Sequence, residues 1–265
     1  MNKVLVVTGA SSGIGKEIAE YFFSQGFIVY GVSRSYPKEK VAYNYLLCDV
    51  TKEEMVNQVI SQIEKKETKI DILINCAGMG VSGAIEYTSL DEVKRIFEVN
   101  VYGVFLFTKA SIPLLRKSSQ AKVINIGSVA GDLIIPFQAF YSMSKASVHA
   151  FSEALRMELK PFKIDVSCVL PGDTKTSFTQ NREQPLILKN DLYHDRIQHS
   201  IKRMEHDEQN GRSPFSVVRV VNKLIKRKSM PVKVTVGIEY KIFVFLKRVL
   251  PKRFENWILY VMYGK

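Results

Sequence analysis

Tyr141 and Lys145 stand four residues apart in Tyr141-Ser142-Met143-Ser144-Lys145. On a helix this spacing puts a phenol and an ammonium on one face, one turn apart. The ammonium favours the phenolate and lowers the tyrosine pKa. Such a phenol is a usable general acid or base for a ketone/alcohol pair. Taken alone the pair is also a common surface arrangement. Ser128 adds weight, because it follows the apolar run Lys122–Gly127 and so falls at the C-terminal edge of a strand, where open α/β sheets bind their ligands. Asn100 lies in Val99-Asn100-Val101, inside the helical stretch Asp91–Arg116. A polar side chain buried there must find partners, in a site or in the scaffold.

A second group of residues suits a phosphate. Thr8-Gly9-Ala10-Ser11-Ser12-Gly13-Ile14-Gly15 leads from an apolar run into a helical pattern. Glycines let the backbone turn tightly against a pyrophosphate, and a helix N-terminus offers N–H groups and a positive dipole end. The spacing is Gly-x-x-x-Gly-x-Gly, and an ordinary strand-turn-helix corner would share it. At the end of the next strand, Gly31-Val32-Ser33-Arg34 carries no carboxylate. An acidic residue there would bond a ribose 2′-hydroxyl; Arg34 and Ser33 suit a 2′-phosphate instead. The expected cofactor is NADP(H) over NAD(H).

These residues need a sheet to hold them. Apolar, β-branched runs at Val4–Thr8, Phe27–Ser33, Tyr45–Cys48, Ile70–Asn75, Lys122–Gly127, Ile164–Leu170 and Val232–Val236 alternate with helical patterns. The patterns cover Ile14–Gln25, Lys52–Lys65, Asp91–Arg116, Ala139–Lys160 and Pro214–Lys228. Thr51…Glu54 and Ser89…Glu92 read as capping boxes. Continuous rather than alternating apolar strands predict a parallel sheet covered on both faces, an α/β doubly wound Rossmann-type fold of about seven strands. Residues 1–239 read as one catalytic domain, with a long irregular insert at about 172–213, and residues 240–265 as a basic amphipathic tail.

The chain has 265 residues, 46% apolar and 24% charged, which argues against disorder. Cys48, Cys76 and Cys168 are too scattered for a disulfide framework or a cysteine zinc site, and no metal is expected. A strand starting at Val4 makes a secretory signal unexpected, and no apolar stretch approaches the ~20 residues of a membrane span. A cytoplasmic setting is expected. The net charge of +12 is lopsided: residues 196–265 hold 16 of the 38 Lys/Arg but 5 of the 26 Asp/Glu.

Thr8–Gly15, Asp49, Asn75-Cys76-Ala77-Gly78, Asn100, Ser128, Tyr141…Lys145 and Pro171-Gly172 together resemble the short-chain dehydrogenase/reductase superfamily, in its order and at its intervals. The resemblance implies that Tyr141 exchanges a proton with the substrate oxygen and that Ser128 hydrogen-bonds that oxygen. It implies that Lys145 holds the nicotinamide ribose and tunes Tyr141, and that Asn100 holds a relay water. The glycine turn (Gly9, Ser11, Ser12, Gly13, Ile14, Gly15), with Ser33 and Arg34, would take the phosphates. Asp49 and Val50 would contact adenine; Asn75, Ala77 and Gly78 would line a ribose; Pro171, Gly172, Thr174 and Thr176 would face the nicotinamide. Cys76 replaces the family's usual asparagine, and Thr174 stands where an apolar residue is commoner.

Gly80–Gly83, Asp132–Phe140 and Ser177–Ser213 are expected to line the substrate pocket, with Ile135 and Phe137 as named contacts beside Ser128 and Tyr141. Apolar walls suit a lipophilic ketone or secondary alcohol, steroid- or retinoid-like. Leu186, Ile187, Leu188, Leu192 and Ile197 read as a lid or as a buried helix. The four histidines show no ligand spacing. In the tail, Lys241, Lys247, Arg248, Lys252 and Arg253 alternate with large apolar residues, and Pro251 divides two helical pieces. Together with Gly78–Gly83 and Gly211–Pro214, the tail resembles the 17β-hydroxysteroid/retinol dehydrogenase-like branch. A basic amphipathic tail lies on an anionic membrane surface, packs on its own or another subunit, or covers a substrate entrance. Nucleic acid is a poor fit, because the charge is interleaved with apolar residues and no recognition motif accompanies it. The resemblance implies a homodimer or homotetramer through residues 91–116 and 139–160. Two alternatives stand beside a lipophilic-carbonyl oxidoreductase: a 3-oxoacyl thioester reductase and a non-catalytic cofactor-binding regulator.

Overall fold

The computed structural model describes residues 2–176 and 192–264. Among them, seven strands form one parallel sheet: β1 (Val4–Thr8), β2 (Ile28–Ser33), β3 (Asn44–Leu47), β4 (Ile72–Asn75), β5 (Lys122–Ile126), β6 (Asp165–Leu170) and β7 (Lys233–Thr235). The strand order is β3-β2-β1-β4-β5-β6-β7. The chain therefore winds outward from β1 in one direction and then from β4 in the other. The crevice where that order reverses is where such sheets take their ligands. In register, Leu5 of β1 faces Val29 of β2 and Ile72 of β4.

The helices are α1 (Gly13–Ser24), α2 (Glu53–Lys66), α3 (Leu90–Phe97), α4 (Gly103–Arg116), α5 (Ala139–Leu159), α6 (His194–Gln209), α7 (Phe215–Lys226), α8 (Ile238–Val249) and α9 (Lys252–Tyr263). Successive strand residues point to opposite faces, and the core divides accordingly. Val4 and Val6 pack with Val56, Ile63, Phe107 and Leu155, from α2, α4 and α5. Leu5 and Val7 pack with Ile18, Phe22, Val217 and Val221, from α1 and α7. All of β1, β4 and β5 is buried, as continuous apolar runs predict for a sheet covered twice.

The structure departs from the sequence reading in three places. The helix expected over 91–116 is interrupted by a π-helical turn at Glu98–Tyr102 centred on Asn100. The capping box at Ser89…Glu92 forms, but the one expected at Thr51…Glu54 does not. There the Asp49 carboxylate takes the N–H and hydroxyl of Thr51 at 3.0 and 2.9 Å, and the N-cap passes to Lys52. The insert is regular in its second half, where α6 buries Ile197, Ile201 and Met204.

The edge of the sheet opposite the crevice serves stability. Asp71, buried just before β4, accepts the Val4 N–H at 3.0 Å, the Lys69 ammonium at 2.8 Å and the Ser118 hydroxyl at 2.5 Å. Burial alone would raise its pKa, but Lys69, Ser118 and the Val4 N–H more than offset it and the net shift is downward. A depressed carboxylate contributes stability that is present above its unfolded pKa of about 3.9 and is lost as pH falls through the folded value. Urea unfolding should therefore show stability falling below about pH 3.9 in the wild type and a flatter acid limb in Asp71→Asn. An identical acid limb in both would remove Asp71 from this role.

Candidate active site

One cleft of about 1300 Å³ opens along the C-terminal edge of the strands. Gly9, Ser11, Ser12, Gly13, Ile14 and Gly15 line one end. Thr8 fixes this turn to the neighbouring strand, its hydroxyl oxygen accepting the N–H groups of Cys76 and Ala77 at 3.0 and 3.1 Å. A Cβ on Gly15 would lie 2.3 Å from the Gly9 carbonyl oxygen, so α1 can start this close only with glycine there. The N-cap Ser12 makes no side-chain cap bond, and the first turn carries no acidic residue. Orphan N–H groups and a positive helix end are thus presented where a pyrophosphate would sit.

Next along the cleft come Ser33, Arg34, Asp49 and Val50. The Ser33 hydroxyl donates to the Ser35 carbonyl at 2.9 Å and lies 2.6 Å from the Tyr45 hydroxyl. Burial raises the Tyr45 pKa, which keeps it a neutral phenol. Arg34 is exposed, leaving its guanidinium accessible to a phosphate. Sequence reasoning missed Tyr45. Only the β2–β3 register, with Gly31 opposite Tyr45, brings it beside Ser33.

Ala77, Gly78, Ser128, Tyr141 and Lys145 line the middle of the cleft. Lys145 is buried; its ammonium donates to the Ile126 carbonyl at 3.1 Å and lies 5.8 Å from the centre of the Tyr141 ring. Burial draws its pKa below the usual lysine value. Ser128 caps the single turn Val129–Gly131, its hydroxyl oxygen accepting the Ala130 N–H at 3.1 Å. His149 is buried beneath that turn, 3.6 Å from Asp132, as a core histidine. Burial pushes the Cys76 thiol up to about 12, which keeps it a thiol rather than a thiolate near neutral pH.

Three residues named from sequence do not line the cleft. Asn100 spends its side chain on the scaffold: Oδ1 accepts the Met79 N–H at 2.8 Å, while Nδ2 donates to the Met79 carbonyl at 2.9 Å and to Ser144 Oγ at 3.0 Å. Ser144 Oγ in turn donates to the Tyr141 carbonyl at 2.7 Å. The Asn100 side chain thus acts as a brace between the π-helical turn and α5. Asn75 is fully buried and donates to Thr108 and Asn125 at 2.9 and 2.8 Å. Phe137, expected at the substrate, packs instead with Ala84, Ile197, Ile201 and Met204, because the apolar face of α6 needs a partner. Ile135 does line the cleft. Leu186, Ile187 and Leu188 lie outside the described residues.

Pro171, Gly172, Thr174 and Thr176 line the cleft further along, and the far wall comes from the tail. Phe243, Leu246, Leu250, Ile258, Leu259 and Met262 line it. Tyr240 is the pin. Its hydroxyl donates to the Asp173 carboxylate and accepts the Asp173 N–H at 3.0 Å. Its ring lies so close that a Cβ on Gly172 would sit 2.2 Å from Cε2. Arg212 pairs bidentately with Glu239 at 2.6 and 2.7 Å, and Lys247 donates to the Asp132 carbonyl. Sequence reasoning left the tail's destination open; the structure lays it on its own domain. Tyr240→Phe removes the bond to Asp173 and is expected to cost about 0.5–1.5 kcal/mol, the worth of one hydrogen bond, in the docking of α8. Hydrogen–deuterium exchange should then show faster exchange across α8, and unchanged exchange would remove Tyr240 from this role.

The short chain dehydrogenase family matches residues 3–186. The chain is 39% identical over 265 residues to a 3-ketodihydrosphingosine reductase of Bacteroides thetaiotaomicron, covering 99% of this chain and 98% of that one. It is 36% identical over 184 residues to an NADPH-dependent 3-dehydrocapnine reductase of Ornithobacterium rhinotracheale, covering 64% and 65%. The structure of the aldohexose dehydrogenase of Thermoplasma acidophilum superposes with a TM-score of 0.77 at 29% identity, over 91% and 94% of the two chains. These names do not point to the hydroxysteroid/retinol branch in particular, so the tail's likeness to that branch goes no further. With its phosphate turn, its Ser128–Tyr141–Lys145 set and its seven-stranded sheet, the chain belongs to the short-chain dehydrogenase/reductase family and is an oxidoreductase acting on CH–OH/C=O groups.

Proposed function

We propose that this protein reduces a long-chain, lipophilic ketone of the 3-ketodihydrosphingosine type with NADPH. One observation carries the reading: a single cleft runs from the glycine turn, past Ser128 and Tyr141, into an apolar wall made by α8 and α9. The likeness to a 3-ketodihydrosphingosine reductase spans nearly the whole chain, tail included. Arg34, with no carboxylate beside it at the end of β2, favours NADPH.

The residues present fit that cofactor. The glycine turn and α1 would hold the pyrophosphate, Arg34 the 2′-phosphate, and Lys145 the ribose by the nicotinamide. NADPH, when bound, supplies the hydride. The chain supplies placement and the proton. Ser128 and Tyr141 hydroxyls hold the ketone oxygen and stabilise the charge that grows on it. Tyr141 gives its proton to that oxygen as the alcohol forms. The Lys145 ammonium, fixed on the Ile126 carbonyl, favours the phenolate left behind. Asn100, through Ser144, holds the Tyr141 backbone in place. Exposed Phe105, Met143 and Met157 on α4 and α5 support pairing of copies through these helices, which light scattering checks.

An NADPH-consumption panel of 3-ketodihydrosphingosine, a steroid ketone, retinal, a 3-oxoacyl thioester and a short aliphatic ketone tests the proposal. The highest kcat/KM is expected for the long-chain amino ketone. A higher value for the thioester would assign the protein to fatty-acid chemistry. NADPH binding without turnover on any of them would make it a regulator.

A further inference from the structure

The two tail helices each carry one apolar stripe more than the cleft uses. On α8, Phe243 and Leu246 line the cleft. Ile238, Ile242, Phe245 and Val249 recur at i, i+4, i+7 and i+11, a separate stripe on the same helix. These four are between 53% and 71% exposed. On α9, Ile258 and Met262 line the cleft, while Phe254, Trp257 and Val261 are exposed and the Phe254 and Trp257 rings stack at 5.8 Å. Exposed apolar stripes of this kind on a folded chain mark a docking face.

Charge identifies what docks there. Lys241, Arg248 and Arg253 are exposed around the patch. The carboxylates of these two helices are already engaged: Glu239 pairs with Arg212, and Glu255 is buried against Lys252. The patch is therefore apolar with a positive rim. A second copy meeting it across a two-fold axis would bring like charges together. An anionic lipid surface matches both features, since apolar side chains enter the acyl boundary while Lys and Arg meet the headgroups. Among the described residues no helix is long and apolar enough to cross a membrane, so the contact lies in the plane of the interface.

We infer that the outer face of α8 and α9 docks on an anionic bilayer and holds the substrate wall of the cleft against the lipid. The docking itself does not need the proposed activity; only the benefit of taking substrate from lipid rests on it.

Trp257 is the chain's one tryptophan, which makes its fluorescence a local probe. The full chain, without NADPH or ketone, is mixed with vesicles of equal phosphatidylcholine and phosphatidylglycerol, and with phosphatidylcholine alone. Co-sedimentation and a blue shift of Trp257 emission are expected with the mixed vesicles, weakening with salt, and neither with the neutral ones. Lys241→Glu with Arg248→Glu, and separately Phe245→Ser with Val249→Ser, should each weaken vesicle binding by about tenfold or more. Both variants should keep the wild-type thermal unfolding midpoint, which shows that the loss is not one of folding. Absence of binding, equal binding to neutral vesicles, or binding without a Trp257 shift would overturn the inference. So would a blue shift that appears on raising protein concentration without vesicles, which would place a second copy on this face. Because no substrate is present, these outcomes stand apart from the result of the ketone panel.

Discussion

Tyr141→Phe should lower kcat for ketone reduction by about 10³-fold while leaving NADPH affinity within about twofold, as expected when a positioned general acid is removed. The change deletes one hydroxyl and keeps the ring, so α5 and its bond from Ser144 to the Tyr141 carbonyl are preserved. Lys145 remains on the Ile126 carbonyl, because that contact does not involve the phenol. On the proposed mechanism, what disappears is the proton donor beside the ketone oxygen and half of the pair that holds it. Ser128 survives and still offers a hydroxyl, which is why turnover should drop steeply without vanishing. Stopped-flow NADPH oxidation gives the rate and fluorescence titration the affinity. Turnover above a tenth of wild type would show that another group supplies the proton. A parallel loss of NADPH affinity would show that the hydroxyl serves the cofactor instead.

Arg34→Asp is expected to move the NADPH/NADH preference by about 10²-fold or more, since a charge-assisted bond is lost and a like charge is placed against the 2′-phosphate. Arg34 is exposed at the end of β2, and no carboxylate accompanies it in Gly31-Val32-Ser33-Arg34. Ser33 cannot compensate fully, because its hydroxyl is shared with the Ser35 carbonyl and Tyr45. NADH binding should improve or stay level, as an aspartate at this place can accept from a ribose 2′-hydroxyl. Titration with each nucleotide checks the ratio, and an unchanged ratio would remove Arg34 from the cofactor site.

Much of this was legible in the chain itself. The apolar runs locate the seven described strands to within a few residues, because strands covered on both faces read as near-continuous apolar runs. The phosphate turn and the Tyr141–Lys145 spacing were equally visible, since each is a local pattern. Where the structure places a named residue away from the cleft, the cause is common: a side chain's type shows in sequence, but the direction it points depends on distant partners. Asn75, Asn100 and Phe137 look like site residues and are claimed by the scaffold, Asn75 by Thr108 and Asn125, Phe137 by α6. Tyr45 and Tyr240 look unremarked in sequence; strand register brings Tyr45 beside the cleft residue Ser33, and a contact 67 residues away brings Tyr240 to the cleft itself. The π-helical turn at Glu98–Tyr102 has no signature beyond the unexplained Asn100.

The wall contributed by α8 and α9 differs from the rest of the cleft in what secures it. No residue of α8 is buried, and in α9 only Glu255 is. Its fastenings are polar: Tyr240 to Asp173, Arg212 to Glu239, Lys247 to Asp132, Arg196 to Gly264 and Tyr263 to Asp207. Segments with so little apolar anchorage part from a fold at a small fraction of its global unfolding free energy. Amide protons of the last two helices should then exchange with deuterium long before those of β1. On the proposed activity, a long alkyl chain would then enter broadside as this wall parts from the domain, not end-on through a narrow mouth.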